Sequence, residues 1–146
     1  MFYRAGGNPN SIAVGDFNRD KKLDLAVADT TESTVSLLLG KWGRHFSSEE
    51  KSASFRFFRG RSVRLISMGD GNLDLAVSTP GNGSDNTVNV LFGDGRGNFA
   101  SPMIFITGTD SHTVAVGDVD VNASPDLAVT IALDDTVIIL LNRHKP

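Results

Sequence analysis

The sequence predicts an all-β chain of tandem four-stranded antiparallel blades, and three observations predict it. The string Leu23-Asp24-Leu25-Ala26-Val27 recurs unchanged as Leu73-Asp74-Leu75-Ala76-Val77, and a third time as Pro125-Asp126-Leu127-Ala128-Val129, at spacings of 50 and 52 residues. Fifteen glycines and frequent Asp and Asn sit between short apolar runs, a composition of many tight turns joining short strands. No stretch carries a sustained apolar period of about 3.6 residues, so helices are not expected.

The elements of each unit follow in order. A first strand is read at Ser11-Ile12-Ala13-Val14-Gly15-Asp16, matched by Thr113-Val114-Ala115-Val116-Gly117-Asp118. An acidic loop separates it from a second strand, the recurring Asp-Leu-Ala-Val. A turn then leads to a third apolar run at Val35 to Leu39, Val88 to Phe92 and Val137 to Leu141. In the first two copies that run ends in glycine, Gly40 and Gly93, and a weaker fourth strand follows at Met103 to Thr107. Four short antiparallel strands in a period of about 50 residues describe a propeller blade. A β-sandwich is the competing all-β architecture, but its strands need not share sequence.

We therefore expect one repeat region over 1–146, with blade units at 11–60, 61–112 and 113–146. Phe2-Tyr3 aligns without gaps to Ile104-Phe105, so 1–10 is expected to be the fourth strand of a preceding or closing blade. Three blades fall short of the roughly 4 to 8 of a closed ring. The expectation is a partial β-propeller, completed by further blades or by oligomerisation through its open blade edges.

Bulk composition narrows the function classes. The 146 residues suffice for one domain with a core. With 14 basic and 17 acidic side chains there is no basic field for nucleic acid, and none is expected as a partner. No apolar run approaches the roughly 20 residues that span a bilayer, so membrane insertion is not expected. Met1 falls directly into repeat sequence without a charged and then apolar leader, which reads as a fragment without a signal peptide. The chain has no cysteine, excluding disulfides, zinc–thiolate sites and a thiol nucleophile.

The acidic loops carry the candidate chemistry. In the first, Asp16, Asn18, Asp20 and Asp24 place oxygen side chains at loop positions 1, 3, 5 and 9, with the carbonyl of Lys22 at position 7. In the third, Asp118, Asp120, Asn122 and Asp126 repeat the same spacing. Calcium takes six to eight oxygen ligands, and alternate residues of a tight loop can all turn inward toward one ion. The spacing is similar to the start of an EF-hand loop, but the ninth-position carboxylate runs straight into an apolar strand. Ordinary solvated turn chemistry is the competing explanation, since Asp and Asn are common in turns.

The pattern Val-Gly-Asp-Phe-Asn-x-Asp-x-x-x-Asp-Leu-Ala-Val, followed by Val-Ser-Leu-Leu-Leu-Gly, resembles the FG-GAP/VCBS repeat of integrin-α-like propellers. The resemblance covers nearly the whole chain. It implies a β-propeller with Ca2+ in the first inter-strand loop of a blade, a role in adhesion or ligand binding, and a secreted or cell-surface location. Glycine is preferred at loop position 6 in that family. Here Lys21 and Ala123 stand there, which should weaken the sites. In the second copy, aligned on Leu-Asp-Leu-Ala-Val, positions 1 and 3 become Ile66 and Met68, leaving Asp70 and Asp74. Ca2+ is expected in the first and third loops and not in the second.

Lys41 to Met68 is anomalous. It holds five of the nine arginines, the one tryptophan and four of the nine phenylalanines, but no aspartate. A basic aromatic stretch can be a nucleic-acid surface. It can also be reading-frame slippage: codons for Ile66-Ser67-Met68, slid by one nucleotide, can read Asp-Phe-Asn. Lys41 to Phe46, slid the other way, can read Asn-Gly-Asp-Gly-Thr-Phe, close to Asp94 to Phe99. On the slippage reading, the fourth strand of the first blade and the first strand of the second are expected to be poorly formed.

Nothing in the sequence composes a catalytic site. His45 lies in the anomalous stretch, His144 in the C-terminal tail, and His112 replaces Asn10 of the first copy. Gly93-Asp94-Gly95-Arg96-Gly97 precedes no helix and reads as a turn rather than a phosphate cradle. Asp134 and Asp135 occupy a strand-to-strand turn. The expectation is a non-catalytic, calcium-stabilised extracellular adhesion module with a protein or glycan ligand. The alternatives are a segment of a larger secreted lyase or hydrolase, or an inactive structural fragment.

Overall fold

In a computed structural model the chain is all-β. Residues 1–31, 34–43, 45–47, 51–53, 62–81 and 86–143 are described, with the backbone alone for 51–53. The first blade contains β1 (Pro9–Gly15), β2 (Asp24–Asp29), β3 (Thr34–Leu38) and, after a small hairpin of β4 (Gly40–Lys41) and β5 (His45–Phe46), β6 (Lys51–Ala53). The second contains β7 (Ser62–Ile66), β8 (Asp74–Thr79), β9 (Thr87–Leu91) and β10 (Met103–Ile106). The third contains β11 (Ser111–Gly117), β12 (Asp126–Ile131) and β13 (Thr136–Leu140).

Every pairing is antiparallel between neighbours, giving sheets ordered β1-β2-β3-β6, β7-β8-β9-β10 and β11-β12-β13. The repeat strings therefore occupy the second strand of each sheet. That strand is apolar almost throughout, and in the middle blade neighbouring blades cover both of its faces. In β8, of the middle blade, all six residues are buried.

Two cores hold the stack together, one on each side of the middle blade. Phe17, Val35 and Leu37 of the first blade pack with Val63, Leu75, Val77 and Leu91 of the second. Val88 and Val90 of the second pack with Val114, Leu127, Val129 and Ile131 of the third. Each fully buried Val or Leu contributes about 1.5–3 kcal/mol. Polar contacts add register between blades: Val63 N donates to Ser11 Oγ at 3.2 Å, and Ser78 Oγ donates to the His112 carbonyl at 2.8 Å. Among the described residues no helix is long and apolar enough to cross a membrane.

The strands can be set beside the expected blade boundaries. Among the described residues 1–8 form no strand, and Phe2 is fully exposed. Gly7 and Asn8 instead accept the amides of Thr31 and Thr30 at 3.0 and 3.2 Å. The flanks of the anomalous segment do form strands: β6 pairs with β3 over three residues and β7 with β8 over five. Arg44, Ser48–Glu50 and Ser54–Arg61 of that segment lie outside the described residues, as does His144. Ser111 and His112 belong to β11, which crosses the approximate boundary expected near 112.

The hairpin of β4 and β5 has a counterpart in the second blade. Gly40 pairs with Phe46, and Gly93 pairs with Phe99 at the same spacing. Ser47 N donates to the Leu39 carbonyl at 2.7 Å, as Ala100 N does to that of Phe92 at 2.8 Å. The two segments are the same turn built from different residues.

Candidate metal centre

Each acidic loop leaves the end of a first strand and returns at the ninth-position aspartate, and pairing fixes its length. Gly15 pairs with Asp24, Gly117 with Asp126, and Ile66 with Asp74. The strand ends Gly15, Ile66 and Gly117 are thus equivalent, and the second loop is one residue shorter than the others. Its first position is Ser67, not Ile66 as ungapped alignment on the repeat string suggested.

Backbone conformation places the deletion. Positive φ falls at Arg19 and Lys21 in the first loop, Val121 and Ala123 in the third, and Gly69 and Gly71 in the second. Met68 is equivalent to Phe17 and Val119, because each donates its amide to the ninth-position aspartate. The missing residue is the one between them, the third-position oxygen donor. The second loop retains Asp70, which accepts the amide and side-chain nitrogen of Asn72, both at 2.8 Å.

The ninth-position aspartates share one arrangement. Asp24 accepts Phe17 N at 2.9 Å and Gly40 N at 2.7 Å. Asp74 accepts Met68 N at 3.1 Å and Gly93 N at 2.8 Å. Asp126 accepts Val119 N and Asn142 N, both at 2.8 Å. All three are buried, so each carboxylate ties the loop and the end of the third strand into the blade. Gly40, Gly93 and Asn142 are the residues that sequence reasoning left without a role. The glycines ending two of the third runs were the available signal, and Asn142 breaks it.

Their charge environments differ. Burial pushes the Asp24 carboxyl up, against the amides of Gly40 and Phe17, with Asp20 and Asp16 adding to the rise. Burial likewise raises Asp74. The Asn142 amide leads in holding Asp126 below the usual carboxylate range, helped by the amides of Val119 and Asp120.

In the third loop, one carboxylate oxygen from each of Asp118, Asp120 and Asp126 lies within 4.8 Å of the other two. Among the described residues no other trio of His, Cys, Asp or Glu converges in this way, and none makes an ion pair with these three. Three like charges so close repel, and a hard divalent cation is the partner that such oxygens accommodate. Asn122 Oδ1 accepts Ser124 N at 2.7 Å and its Nδ2 donates to the Asn142 carbonyl at 2.9 Å. Asp118 braces the loop by accepting the amides of Asn122 and Ala123, both at 2.9 Å.

The first loop has the same brace. Asp16 accepts Asp20 N at 3.0 Å and Lys21 N at 2.7 Å, and Asn18 Oδ1 also accepts Asp20 N at 3.1 Å. Its fifth-position carboxylate is occupied differently, because Lys22 Nζ donates to Asp20 Oδ2 at 2.7 Å and draws the Asp20 carboxyl down. The same ammonium lies 5.3 Å from the centre of the Trp42 ring. A cation entering this loop has to displace Lys22 from Asp20.

Other candidates resolve as turns. Asp94 accepts the amides of Arg96 and Asn98 at 2.8 and 3.0 Å, closing the Gly93–Gly97 segment on itself. Asp134 accepts Thr109 N at 2.9 Å, and His112 Nε2 lies 3.6 Å from Asp110. An apolar cleft lies between the second and third blades, walled by Met68, Phe92, Phe105 and Leu140 with Asp70 and Arg143 also lining it.

No curated protein matches the chain. Residues 68–129, reaching from the second acidic loop through the third and into β12, match the model of the FG-GAP-like repeat, and over that span the chain is similar to it.

Proposed function

We propose that the chain is a non-catalytic extracellular interaction module whose third acidic loop binds Ca2+ and is stiffened by it. The observation that carries this reading is the convergence of Asp118, Asp120 and Asp126 at one end of a blade, within the span similar to the FG-GAP-like repeat. Three carboxylates, the Asn122 region and water supply the hard oxygens calcium prefers. The site rests on a buried anchor, Asp126, so filling it ties β11, β12 and the end of β13 together. The first loop is a second, weaker site, held back by Lys22. Loops so stiffened at one rim of the blades present a stable surface to a protein or glycan ligand, in keeping with adhesion outside the cell.

Thermal melting against calcium tests the reading. Extracellular modules bind calcium at about 10⁻⁴–10⁻³ M, so about 2 mM calcium should stabilise by roughly 0.6–1.8 kcal/mol. For a domain of this size that raises Tm by about 1–7 °C. The wild type should respond, and Asp118→Ala should lose most of that response. An unmoved wild-type Tm at millimolar calcium removes the proposal.

A further inference from the structure

The two outer faces of the blade stack carry features that do not depend on metal. Strand pairing makes residues of the three blades equivalent, so each buried contact between blades can be sought at the ends of the stack. Between the first and second blades, Phe17 is 3 % exposed and packs edge-on against Phe99, with ring centres 5.8 Å apart. At the same place in the third blade Val119 is 53 % exposed. Leu37, on the covered face of β3, is 1 % exposed, whereas its counterpart Ile139 is 43 % exposed.

Glycine geometry reports the same contrast. A Cβ on Gly15 would come within 2.6 Å of Leu73 and 3.1 Å of Leu65, both from the second blade. A Cβ on the equivalent Gly117 would meet nothing within 4 Å. The opposite end of the stack shows the complementary half. Leu23 stands where Leu73 stands in the second blade, yet it is 64 % exposed. Ile12 is 55 % exposed, whereas its counterparts Val63 and Val114 are fully buried.

One outer face of the stack is thus the receiving half of a blade contact, and the other is the inserting half. The chain makes that contact twice internally, between its first and second and its second and third blades. We infer that two copies of this chain associate head to tail through these faces, with Leu23 of each copy seated over Gly117 of the other. The two-fold pair makes two identical contacts at once and leaves neither face open. It holds six blades, within the roughly 4 to 8 of closed rings. A second copy is the fitting occupant because it presents the surface that already covers these positions within the chain, down to an aromatic at the Phe99 place, Phe46.

The test is the solution mass of the chain across a concentration series, by sedimentation equilibrium. The wild type should reach twice its 15.6 kDa and stop there. Leu23→Asp and Ile139→Asp alter exposed side chains on opposite faces, and far-ultraviolet spectra check that both keep their sheets. Each alone should fall to the single-chain mass, since both contacts of its pair contain one altered face. Mixed together, they should regain a two-chain species through the one contact that is intact on both sides. A wild type that remains a single chain, one that grows without limit, or variants that pair as the wild type does would each overturn the inference.

Discussion

Asp24 accepts the backbone amide of Gly40 at 2.7 Å across 16 residues of chain, and its other oxygen accepts Phe17 N. The loop, the second strand and the exit of the third strand meet on that one buried carboxylate. Asp74 repeats the arrangement in the second blade. Removing the carboxylate leaves two buried amides without their acceptor, each costing about 1–3 kcal/mol. Asp24→Ala and Asp74→Ala should each destabilise the chain by about 2–5 kcal/mol, measured by urea unfolding in chelator so that metal plays no part.

The glycines receiving these bonds are pressed against backbone. A Cβ on Gly40 would stand 2.4 Å from the Leu23 carbonyl oxygen, and one on Gly93 would stand 2.2 Å from that of Leu73. A main-chain carbonyl immediately before a paired strand cannot swing aside as a flexible side chain can. Gly40→Ala and Gly93→Ala should cost about 1–3 kcal/mol each. Equal stability of variant and wild type in the same urea titration would contradict this account of why the third strands end in glycine.

The blade order was legible because identical strings at fixed spacing leave little choice of partner. Third strands fall one residue before the apolar runs that announce them, since Leu39, Phe92 and Leu141 continue the apolar pattern past the last ladder pair. The second loop was misaligned for a physical reason: a strand–loop–strand unit can lose a loop residue while its ladder stays in register, so counting back from Asp74 put Ile66 at the first position. The loop oxygens were legible as a set, but not their directions. Asp118, Asp120 and Asp126 come together, while Asn122 bonds Ser124 N and the Asn142 carbonyl, contacts that its spacing did not announce. Lys22 was read as a carbonyl donor, and its side chain proves to hold Asp20.

Lys21 and Ala123 occupy the sharp turn at loop position 6 with φ of 65° in both. That conformation costs an L-residue about 1–2 kcal/mol, part of which a glycine gives back through its freer unfolded chain. The second loop has Gly71 at this place with φ 78°. Lys21→Gly and Ala123→Gly should each stabilise by about 0.5–1 kcal/mol. Gly71→Ala should destabilise by a similar amount, all three read from urea midpoints at unchanged slope.

Calcium sensitivity should follow the loops and not total acidity. Asp120→Ala and Asp70→Ala each delete one exposed aspartate, but only Asp120 belongs to the converging trio. Asp120→Ala should abolish most of the calcium-induced rise in Tm. Asp70→Ala should leave it within error of the wild type. Equal responses would mean that calcium acts on the net charge of the chain.

Asp74 gives the last prediction through its own ionisation. Its carboxyl is buried, and burial raises its pKa in the folded chain above the unfolded value of 3.8. A raised folded pKa means the native state binds the proton more tightly than the unfolded chain does. That contribution is fully present below the unfolded pKa and is lost as pH rises through the folded one. In Asp74→Asn the group no longer titrates, so the wild type should gain stability relative to this variant as pH falls from about 6 to about 4. Urea unfolding of both proteins in chelator at several pH values measures that difference. A difference that is flat across the window, or one that grows as pH rises, would show that the two amides on Asp74 outweigh its burial.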